Sequence, residues 1–283
     1  RWPEDEMRKC EIILSRALRK VLGNLTGDLQ MWEETMTARV REAHKTRDAL
    51  IAHWKLLLGS DSLRKAANDP NGVCMASFTR HTEQEVHRLN TLQAAYFSKN
   101  VEIFEPPLPK GVPERLERIV DSAGIDPSDS VLDIGTGTGI LIPLIRKYSP
   151  AHIYANDLSE AMLEFVKTHY HSVITARGDV ADLALADASI GVAFINACYP
   201  NIIDKHKTFT NLRRMLRPGG RLIISHPLGR SFVEVLKKNV PFPLDDFPAE
   251  EVEATELFAP YGLHVSLFLD EQELYILRLA ADE

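Results

Sequence analysis

The sequence predicts an α/β protein, a doubly wound and mostly parallel sheet carrying a helical N-terminal extension. From Pro113 onward, short apolar runs alternate with amphipathic stretches of helical period, a rhythm that gives parallel strands with helices on both faces. One of these runs, residues 131–134, passes through closely spaced glycines directly into a helical stretch, as a strand–turn–helix crossover requires. Ahead of Pro113 the apolar spacing is three and four residues, with no alternating strand pattern.

Residues 1–59 read as two helices. Pro3 followed by Glu4, Asp5 and Glu6 suits a helix start, since proline there loses no needed donor and the acids face the positive end of the dipole. Ile13, Ala17, Leu18, Val21 and Leu22 form its stripe, and Gly23-Asn24 ends it. Asp28 caps a second helix with apolar residues Leu29, Trp32, Met36, Val40, Ala43, Leu50, Trp54 and Leu57, interrupted at Arg47. Intrachain packing of that stripe, with Trp32 and Trp54 buried in a monomer, is the expectation; a homodimer seam is the alternative. The turn cluster 68–72 sets the boundaries at 1–70 for the extension, 71–112 for a helical lid or linker, and 113–283 for the main domain. Within the middle segment a helix is expected over 81–104, ended by Pro106, Pro107 and Pro109. The main domain then reads as helices at 113–123, 141–148, 160–169 and 205–216, with strands at 130–134, 152–156, 172–176, 190–195 and 220–226.

Composition narrows the function classes. The net charge of −7 disfavours a phosphate-backbone binder, whose affinity rests on a basic surface. No apolar run approaches the roughly 20 residues that cross a bilayer. Cys10, Cys74 and Cys198 lack C-x-x-C spacing, which argues against structural zinc and against a disulfide framework, and the scattered histidines His44, His53, His81 and His87 lack ligand spacing. No metal site is expected. An intracellular, by default cytoplasmic, location follows from the cysteine usage; the chain opens on Arg1, so an upstream organelle signal is left open.

The chemistry-bearing run is Asp133-Ile134-Gly135-Thr136-Gly137-Thr138-Gly139. Glycines at alternate positions let the backbone turn sharply and let a ligand approach without a Cβ in the way. The spacing G-x-G-x-G differs from the G-x-G-x-x-G that seats a dinucleotide pyrophosphate. Asp133, two residues before the first glycine, would repel a pyrophosphate and attract the ammonium of a bound amino acid. Asp157, 24 residues further on, closes the next strand, where a carboxylate accepts both hydroxyls of a ribose. Gly178-Asp179-Val180 follows the third strand, where a side-chain acceptor can meet an adenine amino group.

These residues together resemble the class I, Rossmann-like S-adenosylmethionine-dependent methyltransferases, over roughly Pro113 to the C-terminus. The resemblance implies a seven-stranded sheet with a C-terminal antiparallel hairpin, here residues 263–269 and 274–279, and a fifth strand fed by the turn in 216–222. It implies S-adenosyl-L-methionine as cofactor. Asp133, Gly135, Thr136, Gly137 and Gly139 would hold its methionine part, Asp157 its ribose, and Gly178, Asp179 and Val180 its adenine, flanked by Leu158 and Met162. Tyr96 and Phe97 are placed like the aromatic pair that many small-molecule members fold over the cofactor.

Beyond the cofactor the reading returns to the residues. Ligands bind past the carboxyl ends of strands in such sheets, so Asn196 and Tyr199 after the fourth strand and His226 after the fifth are expected to face the acceptor. Asn196-Ala197-Cys198-Tyr199 departs from the Asn-Pro-Pro-Tyr motif of amide and exocyclic-amine methylases. His226, with an ordinary pKa near 6.5, is the candidate general base, and Arg230 could pair with a carboxylate or phosphate. The function expected is methyl transfer to a small molecule at O, N, S or C. A protein or RNA methyltransferase using the helical extension for recognition and a non-catalytic cofactor-binding scaffold are the alternatives, and formation of S-adenosylhomocysteine separates the enzymes from the scaffold.

Overall fold

A computed structural model of the chain describes residues 78–105 and 107–282. The expectations for the two N-terminal helices, their apolar stripe, Trp32 and Trp54 lie outside the described residues.

The first described helix, α1 (Glu83–Lys99), opens on a capping box: the Glu85 amide donates to Thr82 Oγ1 at 3.3 Å while the Thr82 amide donates to Glu85 Oε2 at 3.0 Å. The expected single helix over 81–104 is divided at Asn100. The Asn100 amide donates to Phe97 O at 3.1 Å and its Nδ2 to Tyr96 O at 2.6 Å, which closes the helix, and Val101–Phe104 continues as one 3-10 turn. There follow α2 (Val112–Ser122), β1 (Ser130–Ile134), α3 (Ile142–Arg146), β2 (His152–Asp157), α4 (Glu160–His169), β3 (Ile174–Arg177) and β4 (Ile190–Asn196). The chain finishes with α5 (Lys205–Met215), β5 (Leu216–His226), α6 (Val233–Leu236), α7 (Glu251–Phe258), β6 (Leu263–Glu271) and β7 (Leu274–Ala281).

The seven strands lie in the order β3-β2-β1-β4-β5-β7-β6, parallel from β3 to β5, with β7 antiparallel to both of its neighbours. Strand alternation sends successive side chains to opposite faces, and both faces are covered. Leu132, Ile134, Ala193, Ile195, Leu222 and Ile224 pack with Phe209, Leu212 and Met215 of α5 and with Phe258 of α7. Val131, Val192, Phe194 and Ile223 pack with Leu116, Ile119 and Val120 of α2 and with Ile145 of α3. Burial on both sides is why β4 reads as an unbroken apolar run rather than an alternating one.

Two strand starts differ from the sequence reading. β3 runs Ile174–Arg177, two residues later than expected at its start. β5 begins at Leu216, not Gly220, because Leu216 already pairs with Ile190 before the chain loops out and rejoins at Arg221 opposite Val192. Gly219 takes a φ of +65° in that loop. No helix among the described residues is long and apolar enough to cross a membrane.

The end of the sheet away from the site is pinned by Asp129, 1% exposed. Arg217 donates to its Oδ1 at 2.5 Å and Arg221 to its Oδ2 at 2.7 Å. A Cβ on Gly191 would overlap this carboxylate, 2.6 Å from its Cγ. Asp129→Ala is expected to cost about 2 kcal/mol, less than the roughly 3–5 kcal/mol of breaking a fully buried ion pair because both arginines keep partial solvent access. Urea unfolding at neutral pH checks it, and a cost below 0.5 kcal/mol would show the pair to be ornamental.

Candidate active site

The site lies at the carboxyl ends of the parallel strands, where each strand hands a polar residue to the loop that follows. On β1 that residue is Asp133, buried at 2% exposure. Its Oδ2 accepts from Thr136 Oγ1 at 2.7 Å. Burial, with the Asp157 charge adding to it, pushes the Asp133 carboxyl up to about 7, against the opposing hydrogen bond from Thr136. Gly135 and Gly137 both sit in the left-handed region, at φ +63° and +55°. A Cβ on Gly135 would run into the Cys198 side chain, at 2.8 Å from its Cβ and nearer still to its Sγ, whereas one on Gly137 would point into open space. The loop is thus closed against protein at Gly135 and open to a ligand at Gly137. Gly139 closes the turn by donating to Thr136 O at 2.9 Å.

Asp157 ends β2. Its Oδ2 accepts from the Gly137 amide at 3.0 Å and its Oδ1 from the Ser159 amide at 2.8 Å. Burial raises its pKa against those amide bonds. Leu158 and Met162 follow it, Met162 buried on α4 with its amide donating to Ser159 Oγ at 3.3 Å. Asn156 Nδ2 donates to Ala176 O and Gly178 O, both at 3.0 Å, and so ties the end of β2 to the end of β3. There Asp179 caps a short 3-10 turn through the Ala181 amide at 2.9 Å, with Val180 buried behind it.

The ends of β4 and β5 correct the sequence reading in three places. Asn196 does stand at the tip of β4, its Oδ1 accepting from Ser225 Oγ at 3.1 Å. Ala197 then adopts a φ of +53°, a conformation that costs a residue with a Cβ about 1 kcal/mol, and this reversal lays Cys198 against Gly135. Burial and the neighbouring acids Asp157 and Asp133 push the Cys198 thiol up to about 12, so it stays protonated. Tyr199, expected at the reacting centre, is instead core, 2% exposed and stacked on Phe247 at 5.2 Å. Pro200, which follows it, is buried too, and its carbonyl accepts from the Asp245 amide at 3.1 Å. His226 is 3% exposed, and burial takes its pKa down to about 4 rather than leaving it near 6.5. Its Nδ1 accepts from the Leu228 amide at 3.1 Å, which puts the proton of the neutral ring on Nε2. Arg230, a candidate anion clamp, is held by Asp270 at 2.9 Å. Its guanidinium reaches the partner that the β6–β7 hairpin presents.

Helix α1 and its 3-10 extension connect to the loops after β1, β2, β3 and β4. Thr138 Oγ1, after β1, donates to Phe104 O at 2.9 Å. Ser98 Oγ and Ser159 Oγ, after β2, are 2.8 Å apart. Asn90 Nδ2 donates to Asp179 Oδ2, after β3, at 2.6 Å, and Gln93 Nε2 to Asn201 O, after β4, at 2.9 Å. Tyr96 and Phe97 stand on this helix. Tyr96 meets Phe97 and Phe242 edge-on, both at 5.4 Å, and Phe97 lies 5.8 Å from Phe104. Asn90, Gln93, Ser98, Ser159 and Cys198 were not singled out from the sequence. Only Thr82-x-x-Glu85 was a readable signal there, as a helix start that fixes which residues of α1 face the strand ends.

Three carboxylates, Asp133, Asp157 and Asp179, therefore gather around a glycine turn. Among the described residues no lysine, arginine or histidine lies close enough to act on the first two, and no group of three or more His, Cys, Asp or Glu is placed to hold a metal. A doubly wound sheet with this acidic, glycine-lined switch point defines an α/β nucleotide-type binding domain.

Comparison with known proteins makes the class specific. Residues 132–224 match the methyltransferase-domain family model. A malonyl-[acyl-carrier protein] O-methyltransferase of Hahella chejuensis is 37% identical over 108 residues, which is 37% of this chain and 39% of that protein. An uncharacterized methyltransferase of Schizosaccharomyces pombe is 26% identical over 190 residues, 64% of this chain and 74% of that one. The crystallised complex of the Haloferax volcanii Trm112 methyltransferase activator with a methyltransferase gives a TM-score of 0.56 at 17% identity, covering 69% of this chain and 98% of that one, a likeness of fold alone. The chain spans about two fifths of the length of the curated relatives it matches first. Residues 132–224 thus carry a methyltransferase-domain match, set in a Rossmann-like sheet similar to that of an S-adenosylmethionine-dependent methyltransferase from Aquifex aeolicus, at 18% identity and a TM-score of 0.50.

Proposed function

We propose that the chain transfers a methyl group from S-adenosylmethionine to a small-molecule acceptor. The observation that carries this is the trio of strand-end carboxylates around an open Gly137, with Asp133 and Asp157 buried and no cation among the described residues acting on either of those two. The donor set fits the cofactor: an ammonium would take Asp133, a ribose diol the remaining lone pairs of Asp157, and an adenine would lie by Leu158, Met162 and Asp179, with Gly178 and Val180 shaping that end. When bound, the cofactor supplies an electrophilic methyl on a sulfonium.

What the chain's own residues do follows from their placement. The glycine turn admits the ligand, and Asp133 and Asp157 fix its two ends, so the acceleration comes mainly from alignment. Asn196 offers its Nδ2 to an acceptor. The one lone pair with which His226 could take a proton, on Nδ1, already accepts from the Leu228 amide, so it is a donor or a wall rather than the base first expected of it. At saturating cofactor the rate profile should then show no limb from His226 near pH 6.5. Tyr96 and Phe97, roofed with Phe242, exclude water, and their ring faces favour a sulfonium. Four hydrogen bonds from α1 and its extension onto the strand-end loops support an enclosed site, and thus a small acceptor over a macromolecule. On this reading 71–112 is the lid segment, 113–283 the catalytic domain, and 1–70 an appendage outside the chemistry.

Calorimetry with S-adenosylhomocysteine tests the assignment. Asp157→Ala should weaken binding by about 1.5–3 kcal/mol, the worth of charge-assisted hydrogen bonds, while NAD should not bind the unaltered chain. Unchanged affinity in the variant would remove the ribose role of Asp157; a protein that bound NAD and ignored S-adenosylhomocysteine would overturn the function.

A further inference from the structure

Resting on that cofactor reading, the structure also bears on how the purine edge is selected. A cavity of about 480 Å³ lies beneath the N-terminal half of α1, with Val86, Asn90, Leu158, Asp179 and Ala181 among its walls. Asn90 comes from the helix and Asp179 from the loop after β3, and they meet at 2.6 Å, Nδ2 to Oδ2. A carboxylate only accepts, so the amide must turn its NH2 toward it, and the polar atom Asn90 has left is Oδ1, an acceptor. Asp179 Oδ1 holds the Ala181 amide at 2.9 Å, and each carboxylate oxygen keeps a second lone pair. The cavity therefore offers two acceptors, from two different elements, with their mutual geometry fixed by the bond between them.

An exocyclic amino group carries two hydrogens and satisfies both acceptors. A carbonyl oxygen in its place would set lone pairs against lone pairs and leave both part-buried protein groups unmatched. We propose that Asn90 is a specificity-determining residue for the 6-amino group of the cofactor's purine, taking one amino hydrogen on Oδ1 while Asp179 takes the other. The lid helix thereby takes part in recognising the cofactor as well as covering it.

The test is calorimetry on the full chain with two ligands, S-adenosylhomocysteine and its analogue carrying hypoxanthine in place of adenine. The unaltered protein should prefer the adenine compound by about 100-fold or more. Asn90→Ala should reduce that preference about tenfold; alanine is the better helix former, so α1 is not weakened by propensity. A preference unchanged in Asn90→Ala, with both ligands weakened equally or not at all, would reduce Asn90 to a support for the helix and overturn the inference. An unaltered protein that binds neither ligand would instead remove the cofactor reading, and this inference with it.

Discussion

Asp133→Asn is expected to make the protein more stable and nearly unable to bind its cofactor. The carboxyl is buried and its pKa stands at about 7, against 3.8 for the free side chain. The folded state therefore holds a proton that the unfolded state gives up between about pH 4 and 7. Stability linked to this group is fully present below about pH 4, falls as pH rises toward 7, and stays low above it. Asn removes that slope. At pH 8 the variant should be more stable by about 2–4 kcal/mol, a range set at or under the shift itself converted at 1.36 kcal/mol per unit. At pH 4 the two proteins should differ little. Asp157, whose charge helps raise the Asp133 pKa, is present in both proteins, and relief of that repulsion is part of the gain.

The functional cost of the same change is larger than that of losing Asp157. An ammonium brought next to a buried amide instead of a carboxylate loses a desolvated partner, worth about 3–4 kcal/mol. In the unaltered protein the ligand must also displace the Asp133 proton. Affinity for S-adenosylhomocysteine should fall about tenfold per pH unit below 7, and binding near pH 7 should release roughly half a proton. Urea unfolding at pH 4 and pH 8, with calorimetry in two buffers of different ionisation enthalpy, reads both effects. Equal stability of the two proteins at pH 8, with no proton released on binding, would show that Asp133 is not held protonated, and unchanged affinity in Asp133→Asn would show that it is not the ammonium site.

How much of this was legible in the sequence depends on the kind of interaction. The sheet was legible because parallel strands buried on both faces leave continuous apolar runs, as at residues 190–195. The glycine turn and the acids at 133, 157 and 179 were legible because each ends a strand, and the crossover geometry fixes where strand ends go. What the sequence hid are choices of side-chain direction. Whether Tyr199 points to the site or to Phe247 turns on the left-handed Ala197 before it, and nothing in Ala-Cys-Tyr-Pro announces that conformation. His226 was read with its free-solution pKa because burial by Phe232 and Phe247 comes from residues 6 and 21 positions later. Asn90 and Gln93 look like ordinary polar positions of an amphipathic helix. Their partners Asp179 and Asn201 lie 89 and 108 residues away, a separation that no local pattern reveals.

Gly135→Ala is the second change expected to have a large effect, through two costs that can be separated. The first is conformational: φ at +63° costs a residue with a Cβ about 1 kcal/mol. The second is steric. The new methyl would overlap Cys198, 2.8 Å from its Cβ and closer to its Sγ, and Cys198 cannot retreat easily because Ala197 is fixed by its amide bond to Ser225 O at 2.7 Å. Overpacking of this kind costs about 1–3 kcal/mol, so the total should reach about 2–4 kcal/mol. Cys198→Gly takes away both overlapping atoms and leaves the backbone cost in place. In that background Gly135→Ala should cost only about 1 kcal/mol, a coupling energy of about 2 kcal/mol in a double-mutant cycle. Cofactor affinity should follow the same pattern, poor in Gly135→Ala and partly regained in the double variant, because the displaced turn carries the Gly137 amide that holds Asp157. Additive costs in the cycle would mean that Cys198 does not brace the turn, and the contact after β4 would lose its role in shaping the cofactor loop.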